Sequence, residues 1–214
     1  MSNRPAPRAP THKERLLKQG FKQFYAHGFA GTSLETVLVE AGVPKGSFYH
    51  HFGSKEAFAL SVLQLYSEKQ QQRRKKWFSA PDLDEYEMLT GYLDQLVSDF
   101  TRTGAKRGCL IGKLSLELAN TSEAFGSLLS TMLGNWHTSV EQVIERGQHA
   151  GTVRDDLPAG QLADTLLATI QGALILDLTH RRVQAMHSIS AVMAALLRPA
   201  AAATETRTKR VSQK

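Results

Sequence analysis

"AGVPKGSFYHHFGSKE", Ala41 to Glu56, crowds a proline, three glycines, two adjacent histidines and three aromatics into sixteen positions. Three structures would use such a stretch: a metal or catalytic site on the histidines, a loop, or a short helix that offers polar groups to something negative. Adjacent residues on a helix point about 100° apart, so His50 and His51 cannot close on one metal as an i, i+4 pair would. No Asp or Cys stands nearby in sequence. No metal, no cofactor and no catalytic residue is therefore expected here.

What flanks the stretch selects the helix. Thr11 and Glu14 form the Thr-x-x-Glu pattern of a capping box, and Leu17, Phe21, Phe24 and Tyr25 then make one apolar stripe up to Gly28. A second pattern of the same kind, Thr32 to Glu35, opens a short helix ending near Gly42. Pro44 suits the first position of the next helix, where its missing N–H leaves no bond unmade, and that helix is expected over Pro44 to His50. Gly53 ends it, and Ser54 caps a longer helix towards Lys76. Two short helices joined by a tight Gly-Val-Pro turn are the geometry of a helix-turn-helix.

Charge agrees. The 214-residue chain carries a net +6, unevenly: residues 1–55 carry +5, residues 68–76 ("EKQQQRRKK") +4, residues 198–214 +4, and residues 77–197 −6. A basic N-terminal third before an acidic body points to a polyanion at one end. Arg4, Arg8, Lys13 and Arg15 could serve as a basic arm, while "RRKK", Arg73 to Lys76, reads as cations complementing a helix C-terminus. The apolar share of 42% is globular. No apolar run approaches the roughly 18–20 residues of a membrane span, and "MSNRPAPRAP" has no apolar segment of a secretory signal, so no membrane partner and a cytoplasmic location are expected. A single cysteine, Cys109, allows no internal disulfide.

The expected fold class is all-α. Residues 1–10 form a flexible basic arm, 11–55 a three-helix helix-turn-helix DNA-binding domain, 56–198 a helical regulatory and dimerisation domain, and 199–214 a disordered basic tail. Leu89, Leu93, Leu96, Val97 and Phe100 form one stripe, and Phe125 to Ile144 another over about five turns. The helix from Gln161 to about His180 is apolar nearly all round, and Ile189, Val192, Met193, Leu196 and Leu197 repeat at helical spacing in the last helix. Two such terminal helices suggest the interface of a homodimer.

"TSLETVLVEAGVPKGSFYHHFGSKEAF" resembles the DNA-binding signature of the TetR family of transcriptional regulators, and the resemblance covers roughly Thr11 to Leu60 without gaps. It implies a dimeric DNA-binding regulator, most simply a repressor, released from a double-stranded palindromic operator by a small-molecule effector; an activator or a ligand-independent DNA-binding protein is the alternative. By resemblance Thr32, Tyr49, His50 and Lys55 contact phosphates, which sets register, while Val43, Pro44 and Lys45 enter the major groove, where Lys45 can donate to guanine, and the Ser47 hydroxyl reaches base or phosphate. Phe48 is expected to pack inward, and Gly46 to allow close backbone approach.

"KRGCLIGKLSLELA", Lys106 to Ala119, resembles the sixth helix of a TetR subgroup that includes the NemR and AcuR regulators. The resemblance implies Cys109 as a candidate sensor of electrophiles or oxidants. Lys106, Arg107 and a helix N-terminus favour its thiolate. Some members pair that cysteine with a lysine on the eighth helix; here "GALILDLTHRR" has none. The other ligand candidates lie on facing stripes: Tyr92, Leu96, Phe100, Met132, Trp136, Ile170 and Leu174. No arginine fork in this region marks a ligand class. An enzyme using Cys109 with His137 or His149 would need an aspartate-oriented dyad, and the sequence shows none, so no enzyme is expected.

Overall fold

The computed structural model describes residues 8–199, and among them the secondary structure is helical throughout. The helices are α1 (His12–His27), α2 (Leu34–Ala41), α3 (Lys45–Phe52), α4 (Lys55–Phe78), α5 (Glu85–Arg102), α6 (Leu110–Leu118), α7 (Glu123–Ala150), α8 (Ala159–His180) and α9 (Gln184–Leu197). Most of the expected arm and tail lies outside the described residues.

The N-terminal caps form largely as their chemistry requires. Thr11 Oγ accepts from the Glu14 N–H at 3.2 Å, and the Glu14 carboxylate accepts from the Thr11 N–H at 2.7 Å. Ser54 accepts from the Ala57 N–H and starts α4. At α2 the expectation is corrected: Ser33, not Thr32, is the N-cap. Thr32 is buried and donates its hydroxyl to the Gly28 carbonyl at 2.6 Å. Gly42 closes α2 in the left-handed conformation (φ 61°), and the Val43 N–H reaches back to the Leu38 carbonyl at 3.1 Å, which turns the chain sharply into α3. Pro44 (ψ 145°) is the extended N-cap of α3 rather than its first helical residue, so α3 begins and ends later than expected.

Two apolar cores result. The first joins α1–α3 and the front of α4 to α6 and the start of α7; Phe24, Phe48 and Phe58 are buried in it, with ring centroids 5.2–5.7 Å apart. Each buried ring contributes roughly 2–3 kcal/mol by area, with about 1 kcal/mol more per aromatic pair. The second joins α5, the back of α7, α8 and α9. The boundary expected at residue 55 thus does not coincide with a gap in packing: α6 belongs to the core that supports α3, and Cys109 packs against both cores. α4, about 36 Å long, runs from one core to the other.

α8 is, by length and composition, apolar enough to cross a membrane. Here it packs between α7 and α9. Asp177, fully buried on α8, accepts from the N–H groups of Ala185 and Met186 at 2.9 and 2.8 Å and so caps α9 from outside. On the outer face of this pair Ile175, Leu176 and Val192 remain 54%, 52% and 58% exposed.

Candidate DNA interface and effector cavity

α3 stands on an apolar foot. Phe48 and Phe52 are buried beneath it, and so is Val43, only 6% exposed, which corrects its expected place in a major groove. Pro44, Lys45, Gly46, Tyr49 and His50 face outward. Lys45 and Tyr49, one turn apart, share a face, with the ammonium 5.9 Å from the ring centroid. A side chain at Gly46 would meet nothing within 4 Å, so the protein's own packing does not demand glycine there.

Ser47 is half-buried and its hydroxyl meets His12 Nδ1 at 2.9 Å, a partner sequence reasoning missed because it lies 35 residues away. Lys55, in the first turn of α4, sits over the Phe29 ring at 4.6 Å. Of the expected phosphate contacts, Tyr49 and His50 are exposed in the second half of α3 and Lys55 follows in the first turn of α4, while Thr32 is turned inward and the exposed Ser33 takes its place at the α2 N-terminus.

A cavity of about 380 Å³ lies behind this unit, walled by α1, α4, α5, α6, α7, α8 and α9. Of the ligand candidates, Tyr92, Leu96, Phe100, Cys109, Trp136, Ile170 and Leu174 line it. Met132 does not; one turn before Trp136 it faces the other core.

The sequence reading missed the arginines. Arg73, Arg74, Arg102 and Arg107 all line the cavity, with Asp99 the single carboxylate. Arg73 pairs with Asp99 at 2.6 Å, and Arg102 bonds the same carboxylate. Arg74 is only 5% exposed. Its expected role at the helix terminus is therefore corrected: Lys75 and Lys76 occupy the last turn, and Arg74 points inward. One signal could have found it. Val62, Tyr66, Gln70 and Arg74 follow at i, i+4, i+8 and i+12, the inward ladder of α4, buried except at the half-buried Gln70.

Burial pushes the phenols of Tyr25 and Tyr92 up to about 12, although the Arg74 guanidinium beside Tyr92 opposes the shift there. Tyr66, more deeply enclosed, is pushed well above its usual value by the same cause.

Cys109 is half-buried and is itself the N-cap of α6: its sulfur accepts from the Gly112 N–H at 3.4 Å. α6 then clasps the DNA-facing unit. The Glu117 carboxylate accepts from the Phe29 and Ala30 N–H groups at 2.9 and 2.5 Å, Lys113 donates to the Tyr25 carbonyl at 2.7 Å, and the Tyr25 hydroxyl donates to the Gly108 carbonyl at 3.1 Å. His137 bonds Asp164 and His149 the Glu145 carbonyl, so neither is aimed at Cys109 as a base.

Known proteins share this fold. Residues 16–62 match the family described as bacterial regulatory proteins, tetR family, and residues 86–193 match the tetracyclin repressor-like C-terminal domain. The chain is 33% identical over 163 residues to the HTH-type transcriptional repressor DhaR of Mycobacterium sp. strain GP1, covering 76% of this chain and 80% of that one. It is 32% identical over 136 residues to the HTH-type transcriptional repressor NemR of Escherichia coli K12, covering 64% of this chain and 68% of that one. The crystal structure of reduced E. coli NemR superimposes with a TM-score of 0.81 at 28% identity, over 87% of this chain and 96% of that one.

Proposed function

The chain belongs to the TetR family of bacterial regulatory proteins and is a DNA-binding transcriptional regulator, not an enzyme; on that premise we propose that two copies joined through α8 and α9 repress by seating paired α3 helices on a palindromic operator, and let go when an effector occupies the cavity. The observation that carries the reading is the outward face of α3, polar and unobstructed over a rigid aromatic foot. Lys45 and Ser47 read base edges, Pro44 and Gly46 let the backbone come close, and Tyr49, His50, Lys55 and Ser33 hold phosphates. The apolar side chains that α8 and α9 leave outside, Ile175, Leu176 and Val192, meet their counterparts in the second copy. The two α3 helices then lie about one helical turn of DNA apart, ~34–36 Å. The regulator works in the cytoplasm, where its operator is.

Release follows from the connections. The cavity is bounded by α4 and by the N-terminus of α6, and both helices are built into the core under α3. An effector that fits only one setting of these helices biases the dimer towards it, and a spacing that no longer matches two grooves loses both at once. Cys109, at the junction of the two cores, gives a reactive electrophile a second way to move α6, since modifying the sulfur removes the cap of that helix.

Footprinting on DNA upstream of its own gene tests the reading. One protected palindrome is expected. Tyr49→Ala should weaken binding to every sequence, and Lys45→Ala should also cost about 1–3 kcal/mol of discrimination between operator and random DNA. Diffuse protection, or undiminished selectivity in Lys45→Ala, overturns it.

A further inference from the structure

The charge balance of the cavity is lopsided, and one member of it is without an ion partner. Asp99 is shared by Arg73 and Arg102, near the exposed side. Arg74 lies deeper, 5% exposed, and among the described residues no carboxylate comes within ion-pairing distance of it; its Nε makes no hydrogen bond. Across the same space the buried Trp136 Nε1–H is also without an acceptor. Guanidinium and indole N–H can only donate. The Tyr92 hydroxyl beside Arg74 is neutral, so the interior holds four cations against one anion, while Leu96, Phe100, Ile170 and Leu174 supply apolar walls. A buried, uncompensated cation destabilises the free protein, and the partner that removes the penalty is an anion.

We infer that the cavity takes an organic monoanion, a carboxylate on an apolar body the size of an aromatic ring with a short tail, whose carboxylate is held by Arg74. The inference rests on the proposed effector reading and narrows it. A cation is repelled by four arginines against one aspartate; a neutral carbonyl compound satisfies Trp136 but leaves Arg74 unpaired. Arg74 extends from the helix that carries the base of the DNA-facing unit, so pairing it acts directly on α4. No reaction at Cys109 is required.

The probe is 3-phenylpropanoate, saturated so that it cannot alkylate a thiol, compared with its amide and with 3-phenylpropylamine. Titration calorimetry on the full-length protein without DNA reads binding. Wild type and Cys109→Ser should both bind the acid at least about tenfold tighter than the amide. Arg74→Gln should abolish that preference while keeping affinity for the amide, and should melt at or above the wild-type temperature because a buried charge is gone. Arg74→Lys, charged but without the planar fork, should keep part of the preference. Equal binding of acid and amide, tighter binding of the amine, no saturable binding of the acid at millimolar concentration, or an undiminished preference in Arg74→Gln each overturns the assignment. A parallel gel shift separates the two readings. Acid that binds but leaves the operator complex intact sinks effector release and spares the cavity assignment, and an operator complex that forms with protein unable to bind the acid does the reverse.

Discussion

The exposed face of α3 and the interior of the cavity use the same kinds of side chain in opposite settings. At α3, Lys45, Tyr49 and His50 stand in water over buried Phe48 and Phe52; in the cavity, Arg74 and Trp136 stand inside an apolar shell. A lysine in water keeps its hydration until a phosphate or base replaces it, so α3 is ready at little cost to the fold. An arginine taken out of water loses hydration on folding, and the loss is held until a ligand offsets it. The first arrangement favours fast, salt-sensitive association with a polyanion. On the proposed reading, the second makes ligand binding and the setting of α4 parts of one equilibrium.

Breaking the foot under the outward region should have the largest effect. Phe48→Ala is expected to cost about 3–5 kcal/mol and to abolish operator binding, while the dimer proposed through α8 and α9 survives in sedimentation. Dimer loss together with DNA binding would mean the two cores do not act separately.

The interior is probed next by alkali. Burial raises Tyr25 and Tyr92 from the ordinary 10.0 to about 12, so the unfolded chain ionises first. The stability that each neutral phenol represents is complete below pH 10 and is lost as pH rises towards 12, about 3 kcal/mol per tyrosine. Chemical denaturation across that range should show the decline, and Tyr92→Phe should make it shallower; an unchanged slope would place Tyr92 in water.

A smaller effect is expected at the link. Glu117→Ala removes the acceptor for two N–H groups at the α1–α2 corner and should weaken operator binding by about 1–2 kcal/mol, with effector affinity of the free protein unchanged. Unaltered operator binding would show that α6 is not the route between the two regions. The smallest change is at Gly46. Alanine there meets nothing and should raise stability by up to about 1 kcal/mol through helix propensity, yet lower operator affinity. A gain in stability without a loss in binding would mean that the backbone does not come close to DNA at that point.

The α3 region was largely legible because its determinants are local. A capping box, a left-handed glycine and an X-Pro step act within a few residues, and the family resemblance put Phe48 inward and Tyr49 outward, as the burial of the two side chains has it. Errors there were local: the hydroxyl of Thr32 is claimed by the Gly28 carbonyl one turn back, which leaves Ser33 as the cap, and Val43 is drawn into the core by the turn that Gly42 makes. The cavity was half legible. Stripes on α5 and α8 placed Tyr92, Leu96, Phe100, Ile170 and Leu174 correctly, because an apolar ladder must face the interior wherever that interior is.

By itself, then, the sequence determined the helices, their caps, the turn before α3 and the apolar faces, since each depends on neighbours a few positions apart. Only the tertiary structure decided that Arg74 faces inward while Lys75 and Lys76 face water, that Cys109 sits where two cores meet, and that Asp177 caps a helix it does not belong to. A cation at the end of an amphipathic helix is equally at home in solvent or at a terminus. It is the packing of α5 and α7 over α4, brought together across dozens of residues, that closes water off from one side chain and leaves its neighbour hydrated.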